Sequence, residues 1–291
     1  MKHSLKITLV LLVIFLLAQF IGLAVLWNYI DAEQSMLEGK TVFKEGLVKE
    51  PTVKEQTYFP FIVLGAILIG TMFLFLMMKY KLMLVWKIWF TLAVVVALDY
   101  SFNAFMWEGF ALALALGLGL WKVFKPNVWI QNGTELFIYG GLAAIFVPLF
   151  SLWAGVVLLV LISIYDAYAV WKSKHMIKLA KSQMKAKIFA GLFIPYKLGK
   201  LKKPKKGEKT VKKKVRTAML GGGDIGFPLI FAGIVLKEIG LWQALLIPLF
   251  AAAGLWVIFW KGDKEKFYPA MPFISAGCFL GLLVVWLIGM I

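Results

Sequence analysis

The chain is poor in charge and almost lacks cysteine and histidine. Only 16% of its 291 residues are Asp, Glu, Lys or Arg, against about a quarter in ordinary soluble domains, so it cannot cover a water-facing surface in the usual way. A single cysteine, Cys278, excludes a disulfide framework and thiolate metal sites and says nothing of redox compartment. With His3 and His175 as the only histidines, a zinc site built on HExxH is excluded, and no metal or other cofactor is expected. Acids are scarcer than bases: 15 Asp and Glu stand against 32 Lys and Arg, a formal net charge of +17. No internal repeat of about 20 to 50 residues is visible.

What the chain has in quantity is hydrocarbon. Apolar residues make up 62% of it and the mean hydropathy is +0.85, where a soluble domain holds about 45 to 50% apolar residues. These values describe an all-α polytopic membrane protein whose first partner is the lipid bilayer. A helix needs about 20 apolar residues to cross the hydrocarbon core. Such windows occur at Ile7 to Trp27, Tyr58 to Met78, Leu82 to Leu98, Asn103 to Trp121, Ala218 to Leu236, Ile239 to Trp260 and Phe267 to Ile291. The first reads as a retained signal-anchor, because no small-residue cleavage pattern follows it. Between Leu136 and Trp171 lies an apolar stretch too long for one crossing, enough for two short ones hinged near Pro148 to Leu152. The expectation is nine transmembrane helices.

The positive charge is concentrated. Lys172 to Arg216 holds 17 Lys and Arg against the single acid Glu208, leaving 15 bases and 14 acids elsewhere. Such a cluster could bind nucleic acid or anionic lipid; flanked by apolar spans it reads as a cytoplasmic loop, and nucleic acid is not expected as a partner. With the N terminus cytoplasmic, inner segments collect Lys2, Lys6, Lys79, Lys81, Lys122, Lys125, the basic cluster, Lys261, Lys264 and Lys266. Outer ones keep Lys40, Lys44, Lys49, Lys54 and Lys237. The bias puts the N terminus inside and, with nine spans, the C terminus outside. Three regions result: 1–171 with spans 1 to 6 and an external loop at 28–57, the basic loop 172–216, and 217–291 with spans 7 to 9. Within the basic loop, His175 to Lys187 places Met176, Leu179 and Met184 on one helical stripe, which suits a helix along the inner leaflet or a continuation of span 6. Lys197 to Lys214 is expected to be disordered.

Ionisable groups inside a span cost roughly 2.5 to 3.5 kcal/mol on the insertion scale and are functional suspects. Lys87 can snorkel to the inner surface, and Asp99 and Glu108 lie near outer helix ends. Asp166 and Asp224 differ. Asp166 lies about six residues before span 6 leaves the membrane near Lys172, roughly 9 Å deep at 1.5 Å per residue. Asp224 is expected about six to eight residues inside the start of span 7, at a similar depth by the same helical rise. Two level carboxylates that approach closely cannot both ionise cheaply; they share a proton and titrate as a unit. The ionised member can then take a proton from water while the neutral member donates to a scissile carbonyl. Gly221, Gly222 and Gly223, just before Asp224, would let backbone or water come close and loosen the helix start. Pro269, Ala270, Met271 and Pro272 open span 9, a Pro-rich start that leaves backbone groups unpaired at membrane depth, tolerated beside a cavity.

Together these residues resemble the intramembrane aspartyl proteases of the GxGD type, comprising presenilins, signal peptide peptidases and archaeal homologues. The resemblance rests on Tyr165 and Asp166 in span 6, the GxGD of Gly221, Gly222, Gly223 and Asp224 in span 7, and a PAL-like Pro269, Ala270 and Met271 opening span 9. It covers essentially the whole chain. Met271 stands where the family usually has Leu, and Gly222 where Leu is common. The stretch from Gly223 to Pro228 looks more like signal peptide peptidase, whereas the orientation looks like presenilin; an archaeal presenilin-like protein of the cell membrane reconciles the two. The resemblance implies that Asp166 and Asp224 are catalytic, that Pro269 to Met271 shapes the site, and that substrates are single-span transmembrane proteins. Such a substrate must first unwind into a strand, and Ala218 to Gly221, with the inner end of span 6, is the expected docking edge. Two rival readings use the same carboxylates. A prepilin-type peptidase also carries GxGD, but favours Lys where this chain has Gly226 and lacks a PAL element. A proton- or cation-coupled transporter could relay charge through them, but no inverted repeat of broken helices is apparent.

Overall fold

The computed structural model describes residues 5–44, 51–80, 82–173, 189–196, 216–262, 268–287 and 289. The stripe expected over His175 to Lys187 and the disorder expected over Lys197 to Lys214 lie outside them.

Ten α-helices and one two-stranded sheet form from the described residues. The helices are α1 (Leu5–Tyr29), α2 (Ala32–Glu38), α3 (Val53–Lys79), α4 (Met83–Asn103), α5 (Glu108–Phe124), α6 (Val128–Phe146), α7 (Leu152–Ala167), α8 (Gly222–Glu238), α9 (Leu241–Lys261) and α10 (Met271–Leu287). Strands β1 (Gly191–Tyr196) and β2 (Arg216–Gly221) pair antiparallel between α7 and α8. Six segments are long and apolar enough to cross a membrane, within α1, α3, α4, α6, α7 and α9 with their short 3-10 and π extensions. The helices α5, α8 and α10 are apolar too, with 17 residues each, about 25 Å at 1.5 Å per residue.

Helix α8 is the hub. Nearly every residue from Ile225 to Leu236 is buried, the pattern of a helix apolar all round and surrounded by others. It packs against α1, α6, α7, α9 and α10. The α9–α10 pair crosses closely because Gly254 and Gly277 have no side chain; a Cβ on either would lie 2.2 Å from a carbonyl oxygen of the partner, Phe273 or Phe250. Small residues at helix crossings serve this purpose in membranes. The break expected near Pro148 to Leu152 is present: a 3-10 turn, Val147–Leu149, ends α6, and Ser151 caps α7 by accepting from the Ala154 amide. At that hinge Lys237 donates to the Pro148 carbonyl at 3.2 Å.

Several expected boundaries move. Hydropathy starts span 5 at Leu136, but α6 starts at Val128, capped by Asn127 accepting from the Ile130 amide at 2.8 Å; the added turns hold polar residues buried against neighbours, which hydropathy alone misses. The loop at 28–57 contains α2, capped by Asp31 and ended by Gly39 at φ 66°, and the first turn of α3. Span 9 begins as a helix at Met271 rather than Phe267. Span 7 is corrected most. Residues from Ala218 to Gly221 are strand, not helix, and α8 starts at Gly222. Consecutive glycines are weak helix formers, and the alternation of buried Ala218 and Leu220 with the more open Thr217 and Met219 is that of a half-buried strand. Asp224 is therefore the third residue of its helix, not six to eight residues inside it.

Candidate active site

Asp166 sits at the end of α7, buried, and the chain passes from it into a π-helical turn, Tyr168–Lys172. Such turns are rare and often mark functional sites. The Met271 amide donates to Asp166 Oδ2 at 3.1 Å, and the Ala270 amide points at the same carboxylate. Asp166 thus does for α10 what a capping side chain does for its own helix, satisfying amides that a helix start leaves over. The backbone groups expected to be unpaired at the Pro-rich opening have this carboxylate as partner. One turn deeper, Ser163 donates to Ser275 Oγ at 2.9 Å, a second link between α7 and α10.

Asp224 enters from the other side. The first turn of α8 is held from outside as well as from within: Gln19, buried in α1, donates to the Ile225 carbonyl at 2.8 Å. Pro228 has no N–H to offer the Asp224 carbonyl. Gly221 has φ −66°, open to any residue, so the glycines serve by leaving room. A Cβ on Gly222 would lie 3.0 Å from Tyr139 Oη, and one on Gly221 would lie 3.3 Å from Asp224 Oδ2.

Both carboxylates line one cavity of about 880 Å³. Tyr165, Gly221, Gly222, Gly223, Ala270 and Met271 line it too. Pro269 does not; it is buried just before Ala270. Lys87, Asp99 and Glu108 are also away from the cavity lining, Asp99 being hydrogen-bonded to Asn103 at the end of α4. The cavity walls are mostly apolar, drawn from α3, α4, α6, α7, α8, α9 and the start of α10, from β2 and from the two residues just before β1. A space of this kind accepts an extended apolar segment and keeps its polar groups to a few places, the two aspartates among them.

A polar cluster missed at the level of sequence adjoins it. Lys122 on α5 meets Glu135 on α6 at 2.7 Å, with 1% of each side chain exposed. Glu135 also accepts from Gln131 Nε2 at 2.9 Å and from the Tyr139 hydroxyl, and Lys122 reaches Thr134 Oγ1 at 3.2 Å. Glu135 and Tyr139 line the cavity. The signal was available in the spacing: Gln131, Glu135 and Tyr139 recur every fourth residue, so they share one face of a helix.

A membrane-embedded helical bundle with two aspartates lining an internal cavity defines the class of an aspartyl protease working inside the bilayer. The chain belongs to the signal-peptide peptidase, presenilin aspartyl protease family, whose model matches residues 8–291, and it is an aspartic endopeptidase. The fold agrees with two solved structures, each described as a presenilin family intramembrane aspartate protease. The C222 crystal form is 18% identical, covers 97% of this chain and 99% of its own, and gives a TM-score of 0.65. The P2 form is 19% identical, covers 99% of each chain, and gives 0.63. Among curated proteins none matches the chain by sequence. These likenesses favour neither the transporter nor the prepilin-type reading.

Proposed function

We propose that this protein hydrolyses peptide bonds within the transmembrane helices of single-span membrane proteins, with Asp166 and Asp224 as a general acid/base pair. The observation that carries this reading is that Asp166 and Asp224, from separate helices, line one cavity whose other walls are mostly apolar. In the cycle we propose, the dyad holds one proton between two carboxylates. The ionised member takes a proton from water as the water attacks the scissile carbonyl carbon, and the neutral member donates to the carbonyl oxygen. Collapse of the tetrahedral intermediate returns a proton to the leaving amine and breaks the C–N bond. Ala270 and Met271 orient Asp166 through their amides, while the glycines give the substrate backbone access to Asp224.

A helical substrate presents no free peptide group and must be drawn out as a strand before it can be cut. The sheet has two strands, so among the described residues no third strand lies beside β2, whose Thr217, Met219 and Gly221 line the cavity. Strand addition at this edge would run the substrate directly past Asp224. We read the chain as nine crossings with the N terminus cytoplasmic, 172–216 as the inner loop that joins the two halves, and substrates as proteins whose N termini lie outside.

The test is incubation of the purified protein with a transmembrane peptide in detergent, with and without an aspartyl-protease transition-state inhibitor, and mass measurement of the fragments. Asp166→Asn and Asp224→Asn should each abolish cleavage with the protein still folded. Residual hydrolysis in either variant would end the assignment.

A further inference from the structure

Strand β1 has two edges, and the side away from β2 is occupied by side chains. Asn132 on α6 donates from Nδ2 to the Phe193 carbonyl at 2.7 Å and accepts from the Phe193 amide at 2.8 Å. One residue earlier on α6, the two hydrogens of Gln131 Nε2 are shared among the Gly191 carbonyl at 3.0 Å, the Phe189 carbonyl at 2.9 Å and Glu135 Oε1 at 2.9 Å. The paired bonds at Phe193 are those a neighbouring strand would make.

In an antiparallel pair, residues facing each other alternate between exchanging both backbone bonds and exchanging none. Phe193 faces Met219, and its amide and carbonyl both go to Asn132, so Phe193–Met219 is a non-bonded pair. By alternation Gly191–Gly221 and Pro195–Thr217 are non-bonded as well, whereas Leu192–Leu220 and Ile194–Ala218 carry the ladder. Two observations agree. Pro195, which has no N–H, sits at a position where none is called for. Beyond the strands, the Gly222 amide donates to the Ala190 carbonyl at 3.2 Å, which continues the bonded set. The backbone groups of Thr217, Met219 and Gly221 therefore turn away from β1.

We propose that Gln131 and Asn132 are positioning residues whose side-chain amides stand in for a third strand along β1, closing that edge and keeping the hairpin assembled before substrate arrives, so that substrate adds to β2 alone. Gln131 is itself fixed by Glu135, which Lys122 and Tyr139 hold in turn. The ordering of the hairpin is then complete in the free enzyme rather than charged against substrate binding. The role in catalysis rests on the proteolytic reading; the closure of β1 does not.

The experiment has one arm for each. Hydrogen exchange on the substrate-free protein reads the segment 191–196 directly. Asn132→Ala should speed its exchange by on the order of tenfold, as expected for the loss of a pair of partly buried hydrogen bonds, and leave the interior of α8 unchanged. Asn132→Asp, which keeps the acceptor for the Phe193 amide and loses the donor to its carbonyl, should lie between, and it decides the matter if the alanine variant does not fold. Unchanged exchange over 191–196 overturns the proposal. In the cleavage assay Asn132→Ala should raise KM by about tenfold with a smaller change in kcat. It should also add products displaced by two residues, the step by which a strand can slip while keeping its faces. A loss confined to kcat with a single cleavage site overturns the positioning role. Wild-type protein that cuts no transmembrane peptide overturns the protease reading instead, and the exchange arm still decides the closure of β1.

Discussion

An ammonium and a carboxylate meet between α5 and α6 where 1% of each side chain is exposed. Withdrawing two ions from water costs several kcal/mol each, and their attraction offsets this only when the remaining donors and acceptors are satisfied. Here they are: Glu135 has Lys122, Gln131 and Tyr139 as donors, and Lys122 has Thr134 as a second acceptor. The pair is better understood as an organiser of α5, α6 and the hairpin than as a source of net stability. Lys122→Met should lower stability by about 3 to 5 kcal/mol, because it leaves an uncompensated buried carboxylate. Adding Glu135→Gln should recover much of that loss, since no charge is then stranded. Thermal or denaturant melts in detergent, arranged as a double-mutant cycle, measure the coupling; losses that simply add would show that the two side chains act independently.

The start of α10 is likewise completed by a charged group from another element. Pro269 and Pro272 bracket the two amides that Asp166 accepts, so the helix opening depends on a carboxylate from another helix. Asp166→Ala should therefore loosen it, with faster hydrogen exchange over 270–275, at a cost of about 0.5 to 2 kcal/mol, as for the loss of a cap. Asp166→Asn keeps an oxygen acceptor and should preserve most of the protection while removing the charge. Equal protection in wild type and Asp166→Ala would mean that α10 is held by packing alone. What sequence could and could not reveal divides along the same line. Long apolar runs made α1, α3, α4 and α9 legible, and Pro148 marked the break between α6 and α7, because hydropathy and proline act locally. The aspartates stood out as charges set in apolar sequence. The strand at 216–221 was hidden because its partner lies across a lysine-rich stretch, and its composition suits a helix end as well as a strand. Glu135 and Lys122 were hidden because each borders a span, where a charge ordinarily meets water.

At the scale of the whole molecule, the distribution of lysine and arginine decides which way the cavity opens. The basic cluster from Lys172 to Arg216 follows Asp166 by six residues and leads into β2 and Asp224. Whichever side of the membrane holds that cluster is also the side nearer both carboxylates. Retaining such a charge inside is favoured strongly enough to set the orientation of neighbouring spans. Labelling can test this cleanly, because the single native cysteine, Cys278, is fully buried. In intact cells, Lys40→Cys in the segment after α2 should react with a membrane-impermeant maleimide. Lys200→Cys in the basic segment should react only after the membrane is opened. That outcome fixes the products as well: six residues, most of them in the tighter-rising π turn, put Asp166 no more than about 9 Å below the surface in a hydrocarbon core of about 30 Å. A substrate with its N terminus outside should therefore be cut in its inner third, leaving most of its span on the outer fragment. The reverse labelling pattern would invert the molecule, and the same geometry would then assign the longer part of the span to the cytoplasmic fragment.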